Sequence, residues 1–128
     1  MQELIRVAVD AMGGDNAPAE IVKGAVEALK ASTDLKVILV GQEEAVQQEL
    51  SKYQYDASRM EVVNATEIIE MAEPPVQAIR SKKDSSIVVA MKLVKNGEAD
   101  AFVGAGSTGA VLVGGQLIVG RLKGVERP

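Results

Sequence analysis

The sequence has no cysteine and no histidine. Without cysteine there is no disulfide, thiol nucleophile or thiolate metal ligand. Without histidine there is no complete Ser-His-Asp triad and no His-ligated zinc. Aromatic residues make up 2% of the chain, with no tryptophan: Tyr53, Tyr55 and Phe102. So few rings do not make a stacking platform for single-stranded nucleic acid, and no nucleic-acid partner is expected. Long hydrophobic runs are also missing. The longest apolar stretch, residues 110–119, is interrupted by Gly114, Gly115 and Gln116. It falls short of the ~20 residues of a helical membrane span. The opening MQELIRVAVD lacks the basic start and long apolar core of a secretory signal. A cytosolic location is expected.

What remains is an ordinary globular composition, 47% hydrophobic and 25% charged, which argues against intrinsic disorder. The net charge of −4 is unevenly spread. Residues 1–79 carry 6 basic and 14 acidic side chains, and residues 80–128 carry 8 basic and 4 acidic. The second stretch is the half better suited to an anion or an acidic partner, unless its charges are only a solvated surface.

Strand and helix patterns alternate along the chain. Residues 5–9 are a β-rich run ending at Asp10 and a glycine pair. Pro18 opens a helix, with Ile21, Val22, Ala25 and Leu29 on one face and Glu20, Lys23, Glu27 and Lys30 on the other. Residues 36–40 read as a second strand stopped by Gly41. Residues 43–53 read as a helix with Val46 and Leu50 inward, and residues 60–64 as a third strand. Residues 66–73 fit neither period, and Pro74 and Pro75 end whatever they form. Ser85 or Ser86 caps a further helix that buries Ile87, Val88, Met91 and Val94 and stops at Gly97. Residues 99–103 make a fourth strand, followed by a glycine loop at 104–109 and a last helix over about residues 107–120. This alternation predicts an α/β fold with a parallel sheet covered on both faces and a ligand crevice at the carboxyl ends of its strands. The last helix is apolar almost all round, from Ala110 to Val119, so more chain or a second subunit should cover it. The 128 residues are expected to be the N-terminal portion of a single longer α/β catalytic domain.

Three constellations can carry chemistry. In DAMGGDNAP (residues 10–18), Gly13 and Gly14 permit a sharp turn and close ligand approach. Asp10, Asp15 and Asn16 offer oxygens there as candidate catalytic or substrate-orienting groups. The same residues also make an ordinary turn and helix cap, or weak Mg²⁺ ligands. In GAGSTG (residues 104–109), the N–H groups of a strand-to-helix turn suit phosphate, with Gly106, Ser107, Thr108 and Gly109 as the binding residues. The alternative is a glycine cap for a closely packed helix. The literal G-x-G-x-x-G of this loop finds an acidic residue about 20 positions on only in Glu126, which ends no second strand, so a dinucleotide site is not supported. The third, RSKKDSS (residues 80–86), sets Lys82 and Lys83 beside Ser85 and Ser86 at a helix start. It reads either as a phosphate or acidic-partner site or as a solvated basic turn.

Together VAVDAMGGDNAP (residues 7–18), RSKKDSSI (80–87), AGSTGA (105–110) and VGRLKGVERP (119–128) resemble the phosphate acyltransferases of bacterial phospholipid synthesis, the PlsX type. The resemblance runs in register along essentially the whole chain, apart from a short extra start at residues 1–4, and family members continue well past Pro128. It implies transfer of a fatty acyl group from acyl carrier protein to inorganic phosphate, giving an acyl phosphate. It also implies a three-layer α/β/α sandwich similar to isopropylmalate dehydrogenase and phosphotransacetylase. Members are homodimers, cytoplasmic and peripherally membrane-associated; no cofactor and no metal are expected. Phosphate as nucleophile removes the need for a serine or cysteine nucleophile, and an acidic carrier protein suits the net-positive stretch. Two other readings stay open: an isopropylmalate-type dehydrogenase needing a nicotinamide, and a non-catalytic membrane-recruited scaffold.

Overall fold

A computed structural model gives the fold and describes residues 4–13, 16–69 and 74–104. In chain order the elements are β1 (Ile5–Asp10), α1 (Ala19–Ala31), β2 (Leu35–Gly41), α2 (Glu43–Leu50), a short 3-10 turn (Ala57–Arg59), β3 (Met60–Asn64), α3 (Pro75–Ser81), α4 (Ser86–Lys95) and β4 (Ala101–Val103). The strands form one sheet in the order β3-β2-β1-β4, and every pairing is parallel. The expected α/β fold is therefore present.

β2 shows why the sheet is covered twice. Its run Leu35–Gly41 is apolar at nearly every position, as suits a parallel strand buried on both faces. Val37 and Leu39 pack with Val22, Val26 and Leu29 of α1 and Val46 and Leu50 of α2. Ile38 and Val40 point the other way, to Ala8, Ala90 of α4 and Ala99. Each of these large side chains contributes about 1.5–3 kcal/mol by leaving water. The path β1–β2–β3 moves in one direction under α1 and α2. The return to β4 passes back over β2 and β1 with α4 on the opposite face. A constant right-handed crossover demands that the covering face change when the direction does. The reversal leaves a topological switch point between β1 and β4, where such sheets bind ligands.

Several boundaries differ from the sequence reading. α2 stops at Leu50, where the Ser51 hydroxyl donates to the Gln48 carbonyl at 2.7 Å and the chain turns. Pro75 begins a helix rather than ending one, because a proline in the first turn gives up only an N–H that would lack a helical partner anyway. Ala78 and Ile79 of that helix pack with Ile69, Ile87, Val88 and Met91, forming a second apolar cluster under α4. β4 starts at Ala101: Asp100 instead accepts from the Arg6 N–H at 2.8 Å through its side chain. Gly97 ends α4 as expected, at φ +76°, a conformation that costs glycine little. The last helix lies outside the described residues.

Candidate ligand-binding crevice

Asp10 is the last residue of β1 and stands at the switch point. Alternation along the strand puts it on the face of Ala8, under the start of α4, and it is 1% exposed. A carboxylate so enclosed requires donors. The Ser86 hydroxyl and the N–H groups of Met12 and Gly13 supply them, that of Met12 at 3.0 Å. Burial pushes the Asp10 carboxyl above the usual carboxylate range, and the hydrogen bonds from Ser86, Met12 and Gly13 partly oppose this. Asp10, Gly13 and Ser86, drawn from two separate sequence motifs, thus meet at one point.

The start of α4 is firmly built. Of the two serines Ser85 is the cap: its Oγ accepts from the Val88 N–H at 3.2 Å. Ser86, the first helical residue, donates its N–H to the Glu67 carbonyl at 3.1 Å. Both serines are buried, so their hydroxyls sit beneath the surface. The segment before them is clasped to the end of β3. Asp84 accepts from the Thr66 hydroxyl and from its N–H at 2.9 Å, while its own backbone carbonyl accepts from Glu67 N–H at 3.1 Å. The Thr66 donors hold the Asp84 carboxyl below its ordinary value. The sequence reading missed this clasp: Asp84 lies within RSKKDSS, but Thr66 is 18 residues away in a stretch that fits neither period.

The other candidates are placed as follows. Asn16 is exposed, and its carbonyl accepts from Glu20 N–H at 3.1 Å as α1 begins. Lys82 extends its ammonium to the Ile68 carbonyl at 2.9 Å. Lys83 is exposed on the turn before the cap. Gly14, Asp15, Gly106, Ser107, Thr108 and Gly109 lie outside the described residues. Among the described residues no three acidic side chains converge as metal ligands would.

Two further residues shape this end of the sheet and were missed from the sequence. A Cβ on Gly41 would lie 2.7 Å from Met12 Cγ, so glycine leaves room there for the Met12 side chain. Asn64 at the end of β3 accepts the Glu43 N–H at 3.0 Å and so caps α2, which has no side-chain cap of its own. Asn64 also lines an open groove of about 800 Å³ with Gln42, Glu44, Gln47 and Thr66. Among the described residues no helix is long and apolar enough to cross a membrane.

A family model described as "Fatty acid synthesis protein" matches residues 5–128. Similar curated proteins named phosphate acyltransferase include one from Clostridioides difficile (strain 630), 51% identical over 97% of this chain and 36% of its own length. That of Syntrophomonas wolfei is 55% identical over 97% of this chain and 39% of its own. That of Desulfitobacterium hafniense (strain Y51) is 56% identical over 98% of this chain and 37% of its own. The chain thus spans little more than a third of the length of these relatives. With a family match from the first strand through the glycine loop and beyond, on the parallel α/β fold described above, the chain belongs to the fatty acid synthesis protein family.

Proposed function

We propose that this chain is the N-terminal portion of a single longer α/β domain that transfers a fatty acyl group from acyl carrier protein to inorganic phosphate. The observation that carries the reading is 51–56% identity, over nearly the whole chain, to proteins named phosphate acyltransferase. The crevice agrees with it chemically. A phosphate oxygen attacks the thioester carbonyl carbon, the C–S bond breaks, and the departing sulfur takes the phosphate proton, leaving an acyl phosphate and a free thiol. No protein nucleophile is needed, so a chain without cysteine or histidine is suited to the task. The protein must hold phosphate, exclude water and stabilise the oxyanion. Glycine N–H groups of residues 13–14 and 106–109, the hydroxyls of Ser107 and Thr108, and the cations Lys82 and Lys83 are the groups we assign to phosphate. Asp15 and Asn16 are the candidates for orienting it, and Asp10, buried beneath the turn, for holding the residues that do. Ser85 and Ser86 support the same site from below. The intact enzyme is a cytoplasmic homodimer in this reading, works at the membrane surface, and docks the acidic carrier protein on the side of residues 80–128.

The test is an assay of the intact protein with acyl carrier protein thioester and radiolabelled phosphate. Label should enter an acyl phosphate in step with thioester loss. Thioester loss that does not depend on phosphate, or none at all, overturns the reading. Nicotinamide titration should show no binding; saturable binding would favour the dehydrogenase class.

A further inference from the structure

Asp10 presents a physical puzzle. The turn at residues 11–13 needs an acceptor at the end of β1, and a neutral asparagine would serve. A carboxylate there is instead enclosed to 1% exposure, and its donors among the described residues are neutral: Ser86 hydroxyl and the N–H groups of Met12 and Gly13. Among the described residues, the elements against it bring no charge. β2 presents Val40 beside it, the first turn of α4 contains no ionisable residue, and the basic residues Lys92 and Lys95 lie in the last turn of that helix. Arg6, on the same strand face, is occupied at the other end of β1 with Asp100 and the Gly97 carbonyl. A negative charge in direct contact with phosphate would repel it, so a substrate contact is the wrong role for this group.

We propose that Asp10 is a positioning residue: its carboxyl group, sealed beneath the start of α4, holds the turn at residues 11–13 and Ser86 in the arrangement that acyl transfer requires. Three parts of the crevice are joined through this one group, the end of β1, the glycine turn and the first residue of α4. The proposal rests on the acyl-transfer reading above.

Two variants of the intact protein test it. In Asp10→Asn the amide oxygen still accepts from Met12 and Gly13, but the amide N–H₂ cannot accept from the Ser86 hydroxyl, which must turn its proton elsewhere. The fold should persist, with a melting midpoint at neutral pH equal to or above the parent, because a buried charge has gone. kcat should nevertheless fall about 10- to 100-fold, the scale of a small misplacement in a catalytic site. A residue that only stabilises the fold would show the reverse, a lowered midpoint with kcat intact, and that result overturns the proposal. Ser86→Ala removes a hydrogen bond that favours the ionised form, so Asp10 keeps its proton to higher pH. The acid limb of the kcat profile should move to higher pH in Ser86→Ala and disappear in Asp10→Asn. An unmoved limb in Ser86→Ala also overturns it, and decides alone if Asp10→Asn does not fold. A parent that makes no acyl phosphate brings down the underlying reading and this inference with it. An active parent with a parent-like Asp10→Asn brings down this inference only.

Discussion

Arg59 does more than any motif residue to tie the first half of the chain together. Its guanidinium donates to the carbonyls of Leu29 at 2.9 Å, Ser32 at 2.7 Å and Leu35 at 3.2 Å, and its Nε to Asp56 at 3.2 Å. The carbonyls at the end of α1 have no helical partners, and a cation there also suits the helix dipole. Arg59→Met keeps the stem and removes the donors. It should lower unfolding free energy by about 1.5–3 kcal/mol, read from denaturant curves, because charged hydrogen bonds are lost and carbonyls are left unpaired. Asp84 makes a pH-dependent contribution. Its folded-state pKa lies below its unfolded value, so its stabilisation is present above the ordinary aspartate range and is lost as pH falls through the folded value. Asp84→Asn should therefore be less stable than the parent at pH 7, and the two should converge on acidification. A gap that stays constant with pH would show that the Thr66 clasp does not depend on the charge. Asp56 and Asp100, lowered by their own Ser58 and Arg6 bonds, act in the same direction, whereas Asp10 acts in the opposite one.

Elements here are fixed by what crosses their ends. The Met12 side chain rests against the end of β2 because Gly41 has no side chain to meet it. Gly41→Ala should cost about 1–3 kcal/mol, the usual range for overpacking, measured by thermal or denaturant unfolding. Because the Met12 N–H is bonded to Asp10, the shift should reach the carboxylate as well. An unchanged stability would mean that Met12 moves aside freely. α4 was legible because its own cap, apolar face and stop signal lie within it: Ser85, then Ile87, Val88 and Met91, then Gly97. α3 was not, because Ala78 and Ile79 bury themselves only against residues of other segments.

At the scale of the whole molecule, β4 is one of the two edges of the sheet among the described residues. Among the described residues β4 pairs only with β1, and Val103 is 54% exposed. Ile5 on β1 is 51% exposed, and the register places Ala101 beside Val7 and Val103 beside Val9. An unpaired edge beside apolar side chains invites association. The 128-residue chain by itself should show light scattering that grows with concentration and should lack acyl-transfer activity. A concentration-independent monomer with full activity would contradict both expectations.

The order of strands and helices, the faces of α1 and α4 and the double covering of β2 could all be read from the sequence, because period and caps are local properties. Asp10 and the serines of residues 85–86 could be singled out as separate candidates for the same reason. That Asp10 meets Ser86, that Asp84 grips Thr66, and that Arg59 and Asn64 serve the ends of α1 and α2 were decided by the tertiary structure. Each joins residues far apart in sequence, and no local pattern encodes which partner a side chain finds when parallel strands bring distant chain ends to one edge of a sheet.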